Sequence, residues 1–207
     1  MNIQAIIFDF GGVLIQMKDN APRLALAERF GIPPTALDEL VFYSESARRA
    51  ALGELTIEQH WEAIRARLGI TPNDLPGVIH QFWAADGLNE ELIETIHGLR
   101  PQYKIGLLSN AWDDLRQALN EQLHISYLFD DLVISAEVGM VKPDPRIYEL
   151  AAQRLSIKPA EAVFIDDTER NVVAARSAGW HAIHYRDNEQ TLADLDGLLK
   201  PVIMQQP

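Results

Sequence analysis

"AIIFDFGGVLI", residues 5–15, sets a single carboxylate, Asp9, in an otherwise apolar run and follows it with Gly11 and Gly12. Short β-branched runs of this kind read as strands covered on both faces, the sort that build parallel sheets. A charge buried in such a strand is costly unless it is paired. Asp9 is therefore read as the residue that closes the strand. Gly11 and Gly12 then supply a tight turn with an accessible backbone.

Four further runs repeat the pattern: "KIGLLS" (104–109), "LVIS" (132–135), "AVFID" (162–166) and "HAIHY" (181–185). Between them lie helix-length segments with apolar residues three or four apart, as in Leu115, Leu119 and Leu123, or Val172, Ala175 and Ala178. Strands alternating with amphipathic helices predict an α/β fold with a doubly wound parallel sheet. Asp144 and Pro145 read as an N-cap and first helical residue, and Gly179 as a helix stop. Residues 16–88 break the alternation. They show no convincing strand, but helix starts are expected at Thr35 (with Asp38), Thr56 (with Gln59, a capping box) and Thr71-Pro72 (with Asp74). Gly31, Gly53 and Gly69 would close the preceding helices. A small all-helical insertion thus follows the first strand, with Phe42, Tyr43, Trp61 and Trp83 expected in its core. The tail "KPVIMQQP" is expected to be peripheral.

A chain of 207 residues can hold one substantial core, or a core domain with a small insertion. Hydrophobic residues at 47% and charged residues at 23% fit a soluble globular protein. With 18 basic against 30 acidic residues the net charge is −12, which speaks against a nucleic-acid groove or an anionic membrane surface. An anionic substrate would need a local positive centre, from a metal ion or a few placed cations. The absence of cysteine excludes disulfides, thiolate metal sites and cysteine nucleophiles. No apolar stretch is long enough to span a membrane, and the N-terminus lacks the marks of a signal peptide, so a cytoplasmic location is expected.

Polar residues stand at successive strand ends, where an open parallel sheet binds its ligands. Asp9 closes the first strand, Ser109 and Asn110 the second, and Asp166 and Asp167 the fourth. Lys142, in "GMVKPDP", lies in the connection after the third. Each has a plain structural reading: Asp residues can serve turns, Ser109 or Asn110 can cap a helix near Trp112, and a loop lysine is usually solvated. Their joint occurrence favours a site. The six histidines show no metal-ligand spacing, and Arg48 and Arg49 read as a solvated helix face.

In this order "FDFGGVL", "LLSNA", "VKPDPRIY" and "FIDDTERN", followed by "AGW", resemble the haloacid dehalogenase superfamily across essentially the whole chain. The chain looks most like phosphatases related to the amino-terminal domain of bifunctional epoxide hydrolases, and "GELTIEQHW" fits that group. The resemblance implies a core of residues 1–15 and 89–207 with the first strand central, and a helical cap of residues 16–88. It implies that Asp9 takes the phosphoryl group as an aspartyl-phosphate, which splits one difficult displacement into two. It also implies Mg²⁺, a hard cation that takes carboxylates, a backbone carbonyl, waters and phosphate. The ligands would be Asp9, the Gly11 carbonyl and Asp167, with Asp166 acting through a water or directly. Lys142 would neutralise Asp9 and the transferred group, Ser109 would donate to a phosphoryl oxygen, and Asn110 would add its amide or a backbone N–H. The expected substrate is a small phosphorylated metabolite, and the expected state a monomer or homodimer.

One position departs from the resemblance. Two residues beyond the nucleophile such phosphatases usually carry a second Asp, a general acid and then a base. Here it is Gly11. General acid–base help is typically worth ~10²–10⁴-fold. A rival reading is therefore an impaired homologue that binds a phosphorylated ligand or a protein partner. "LSNAWD" also resembles 2-haloacid dehalogenases, but these normally lack an adjacent acidic pair, so Asp166-Asp167 counts against that activity. The segment from Phe42 to Arg49 is expected to face the core across a cleft and to tune substrate choice.

Overall fold

The computed structural model describes residues 2–199, so the expectation for the tail at 200–207 lies outside the described residues. Strand β1 (Ala5–Phe8) is wholly buried and is followed by a tight turn. The chain then leaves through β2 (Ile15–Met17) and returns through β3 (Asp86–Leu88), which pair as an antiparallel ribbon. Between the two run α1 (Ala21–Phe30), α2 (Pro34–Asp38), a π-helical turn Glu39–Tyr43, α3 (Glu45–Ala51), α4 (Ile57–Leu68) and α5 (Leu75–Trp83). These helices close on their own core of Leu26, Leu37, Val41, Trp61, Ile64 and Phe82.

After β3 come α6 (Glu90–Leu99), β4 (Lys104–Ser109), α7 (Leu115–Gln117), β5 (Asp131–Ile134), α8 (Ser135–Val138), α9 (Pro145–Arg154), β6 (Ala162–Asp166), α10 (Glu169–Ser177), β7 (His181–His184) and α11 (Asn188–Leu199). The five strands outside the ribbon form one parallel sheet in the order β5-β4-β1-β6-β7. Successive residues of β1 serve opposite faces. Ile6 and Phe8 pack with Leu92, Ile96, Leu115 and Leu195, whereas Ala5 and Ile7 pack with Ile147, Tyr148, Ala151 and Val172. The sheet is thus covered on both sides, as its near-continuous apolar strands require. The chain winds outward from β1 to β5 and then crosses back to β6, so the switch point lies at the carboxyl end of β1.

The strands fall within a residue or two of their expected limits. Asp9 lies just past β1, where its N–H still donates to the Ile165 carbonyl (2.9 Å). The β2–β3 ribbon corrects the expectation of an insertion without strands. Its three-residue members, one of them Asp86-Gly87-Leu88, carry no alternation to read. Two helix starts are also corrected. Pro34 occupies the first helical position of α2, which puts Thr35 inside the helix rather than at its cap. Thr71 forms a turn with Asp74 (Oγ1 to Oδ2, 2.6 Å), and α5 begins only after it. The capping box of Thr56 and Gln59 is present, as is the Asp144 cap on α9. Tyr43, expected in the core, is 78% exposed, and Phe42 beside it is 37% exposed.

The ribbon is bolted to the core. Asn89, just after β3, donates its side-chain amide to Val13 O (3.1 Å), Tyr185 Oη (3.2 Å) and Asn188 Oδ1 (2.8 Å). Among the described residues no helix is long and apolar enough to cross a membrane.

Candidate active site

Register brings the strand-end residues together. Phe8 pairs with Leu107 on one side and Ile165 on the other, so the residues following β1, β4 and β6 emerge at one edge of the sheet. Lys142 reaches this edge from the loop between α8 and α9 and is 2% exposed. Its ammonium donates to Asp166 Oδ2 (2.7 Å) and the Leu108 carbonyl (2.9 Å), and it lies 2.9 Å from Asp9 Oδ1. All three of its protons therefore have an acceptor. Asp9 Oδ1 also accepts from the Phe10 N–H (2.7 Å), while Asp9 Oδ2 makes no hydrogen bond among the described residues.

Asp166 is completely buried and saturated. Its Oδ1 accepts from Thr168 N (2.8 Å) and Asn171 Nδ2 (3.1 Å); its Oδ2 accepts from Lys142 and again from Asn171 Nδ2 (3.1 Å). Those bonds use the four acceptor positions of a carboxylate. Asp167 is exposed, and its one side-chain partner is Thr168 Oγ1 (3.3 Å). Gly12, with φ +75°, lets the turn run against it: a Cβ there would sit 2.2 Å from Asp167 Oδ2. Gly11 is different, because a Cβ at that position would meet nothing within 4 Å and its φ is not positive.

One oxygen from each of Asp9, Asp166 and Asp167 lies within 4.8 Å of the others. Burial pushes Asp9 up to about 7, with Lys142 opposing and Asp166 adding. Partial desolvation of its carboxyl also raises Asp167, exposed as the residue is, again with a contribution from Asp166. For Lys142 burial disfavours the charged form, but the attraction of Asp9 and Asp166 outweighs it and holds the ammonium above its ordinary value. The cluster thus carries more negative charge than Lys142 neutralises. Its donors are all hard oxygens, which suits a cation such as Mg²⁺ rather than a thiophilic metal. The donors without hydrogen bonds among the described residues are Asp9 Oδ2, Asp167 Oδ2 and the Gly11 carbonyl, so the residues present fit such an ion.

Ser109 is buried, and its hydroxyl has no partner among the described residues. Asn110 spends its amide on Lys142, donating to its carbonyl (2.9 Å) and accepting from its N–H (2.7 Å). The second proton of its amide and its backbone N–H make no hydrogen bond among the described residues, so both contributions expected from Asn110 stay open to a ligand. Neither residue caps a helix: α7 starts at Leu115. Ser135 fixes the same loop, since its hydroxyl donates to Ala111 O (3.0 Å) and lies 3.0 Å from the Ala111 N–H. Sequence reasoning missed Asn171, whose place one helical turn into α10, facing back to Asp166, was the available signal. It also missed Trp112, which packs against the inserted helices.

The insertion docks on this edge. Asp113 accepts from the Ile57 N–H at the start of α4 (2.9 Å), and Gly53 abuts Ala136, whose carbonyl oxygen lies 2.2 Å from where a Cβ would stand.

Residues 3–179 match the family model described as haloacid dehalogenase-like hydrolase. The chain belongs to that family. It is 32% identical over 124 residues to bifunctional epoxide hydrolase 2 of Rattus norvegicus, a stretch covering 58% of this chain and 22% of that protein. It is thus similar to one part of a much longer relative. A sesquiterpene phosphatase of Aspergillus oryzae is 23% identical over 95% of this chain and 96% of its own length. A haloacid dehalogenase family enzyme of Bacteroides thetaiotaomicron, solved with magnesium and inorganic phosphate, superposes with a TM-score of 0.78. That match covers 92% of this chain and 99% of the other at 22% identity, and it establishes the shared fold.

Proposed function

We propose that this hydrolase is a phosphatase of small phosphorylated compounds, with Asp9 as its nucleophile. The observation that carries the reading is Lys142, fully buried and held between Asp9 and Asp166 beside a third carboxylate. A lone buried cation cannot balance three acids, but it and a divalent ion can do so and still receive a phosphate. The magnesium complex of the Bacteroides enzyme supports Mg²⁺ as that ion. When bound it supplies the positive charge that lets an anionic carboxylate approach an anionic phosphoryl group.

The residues then divide the work. Phe10 N–H and Lys142 fix Asp9 through Oδ1, leaving the carboxylate oriented for attack. Its oxygen forms a bond to phosphorus as the ester P–O bond breaks, and the electron pair leaves on the ester oxygen. Water then cleaves the acyl phosphate, releasing phosphate and restoring Asp9. Lys142 contributes charge, and the Ser109 hydroxyl donates to a phosphoryl oxygen. Asp166, already saturated, holds Lys142 rather than a metal. With Gly11 in place of an acid, the departing oxygen takes its proton from water, which favours acidic leaving groups such as acyl and aryl. Acetyl phosphate should be turned over with Mg²⁺, and turnover should vanish in Asp167→Asn and in excess chelator. Full activity in chelator would overturn the metal assignment.

A further inference from the structure

The rim of the proposed phosphate site is aromatic. Trp112 lies two residues beyond Asn110, whose amide is pinned to Lys142, so the two backbones are no more than about 7 Å apart. The Phe42 ring stacks on Trp112 (centroids 6.1 Å apart, planes within 7°), and Trp83 completes the group at 5.8 Å from Phe42 and 6.3 Å from Trp112. Phe42 belongs to the π-helical turn Glu39–Tyr43, a rare geometry that recurs at functional sites. Phe42 is 37% exposed and Trp83 and Trp112 are half-buried, so the group is only partly covered, and Trp112 belongs to the loop whose Asn110 holds Lys142.

The polar groups touching these rings are already spent. Arg23 lies under Phe42 and Trp83 (5.6 Å to each), but its guanidinium is committed to Asp86, Asp38 and the Phe82 carbonyl. His60 lies 5.1 Å from Trp112 and is occupied by Ser46 Oγ and Val41 O. Arg48 and Arg49 pair with Glu45 and Glu54. Arg67 has no partner among the described residues, but it stands ten residues along α4 from the docked Ile57, roughly 15 Å away. A polyol needs several directed hydrogen bonds, and a second anionic group needs a cation; among the described residues the side chains touching these rings have neither to spare. Apolar surface needs only contact.

Resting on the phosphatase reading, we propose that the substrate is a phosphate monoester with an apolar aryl body that lies against Phe42, Trp83 and Trp112. The test is calorimetric titration of the full chain, with Mg²⁺ present, using n-alkylphosphonates from methyl to hexyl. Kd should fall about two- to fourfold per methylene, fourfold corresponding to complete burial. Phe42→Ala should shrink the hexyl-to-methyl affinity ratio, and the wild-type slope stands even if that variant fails to fold. Chain-length-independent Kd with methylphosphonate still binding would overturn the proposal alone, as would tighter binding of a polyol phosphonate of equal length. Failure of methylphosphonate and inorganic phosphate to bind at all would remove the phosphatase reading beneath it.

Discussion

Replacing Gly11 by Asp should supply a proton donor at this position, and the backbone is ready for it. A Cβ at Gly11 meets no atom within 4 Å, and the residue does not use the left-handed region. The substitution should therefore cost little stability. Gly12 is the control. There a Cβ would strike Asp167 Oδ2 at 2.2 Å from a φ of +75°, so Gly12→Ala should cost ~1–2 kcal/mol in backbone strain and dislodge Asp167 as well. General acid catalysis is worth ~10²–10⁴-fold, or ~2.7–5.4 kcal/mol of barrier. The new carboxylate joins three others, which repel it, so the gain for an alkyl phosphate should fall near the lower end, ~10². The assay is a plot of log kcat/KM against leaving-group pKa for aryl and alkyl phosphates. Wild type should give a steep negative slope and Gly11→Asp a shallow one. A shallow wild-type slope with rapid alkyl-phosphate hydrolysis would show that another acid is present and refute the account of Gly11.

Two other perturbations follow from the buried charges. Lys142→Met leaves Asp9 and Asp166 facing each other uncompensated and should lower unfolding free energy by ~3–5 kcal/mol at pH 7, with part of the loss recovered in Lys142→Met/Asp166→Asn. Unchanged urea midpoints would contradict this. Because burial lifts Asp9 to about 7, its carboxyl is mostly protonated at pH 6 in the metal-free protein, and a cation must displace that proton. Mg²⁺ affinity should therefore fall up to about tenfold per unit as pH drops below 7 and level off above it. Titrations in buffers of different ionisation enthalpy should show nearly one proton released at pH 6 and fewer at pH 8; pH-independent affinity would be inconsistent with a metal-ligating Asp9.

The sheet was legible because its strands are buried on both faces and so are apolar without interruption. Asp9, Ser109, Asn110, Asp166 and Asp167 were legible as one edge because polar residues recur at the ends of successive apolar strands, and Lys142, in the loop after the third, was legible only in their company. What escaped was set by long-range pairing. The β2–β3 ribbon exists because residues about 70 positions apart meet, and nothing local in Ile15-Gln16-Met17 announces a strand. Asn171 looks like any helix residue until the first turn of α10 is seen to return it to Asp166. Phe42 and Tyr43 were expected in the core because they are large and apolar; the π-helical turn leaves them exposed instead. Trp112 carries no sequence mark of its own, and only the docking of the insertion gives it neighbours.

The central claim is that Asp9 itself carries the phosphoryl group, and acid quenching during turnover of an acyl or aryl phosphate addresses it directly. Reductive trapping of the acyl phosphate, followed by peptide mass analysis, should label Asp9 in wild type. Asp9→Asn should show no label and only background turnover. A wild-type chain that turns over substrate without any modification at Asp9, or an Asp9→Asn chain that keeps most of the rate, would contradict the account.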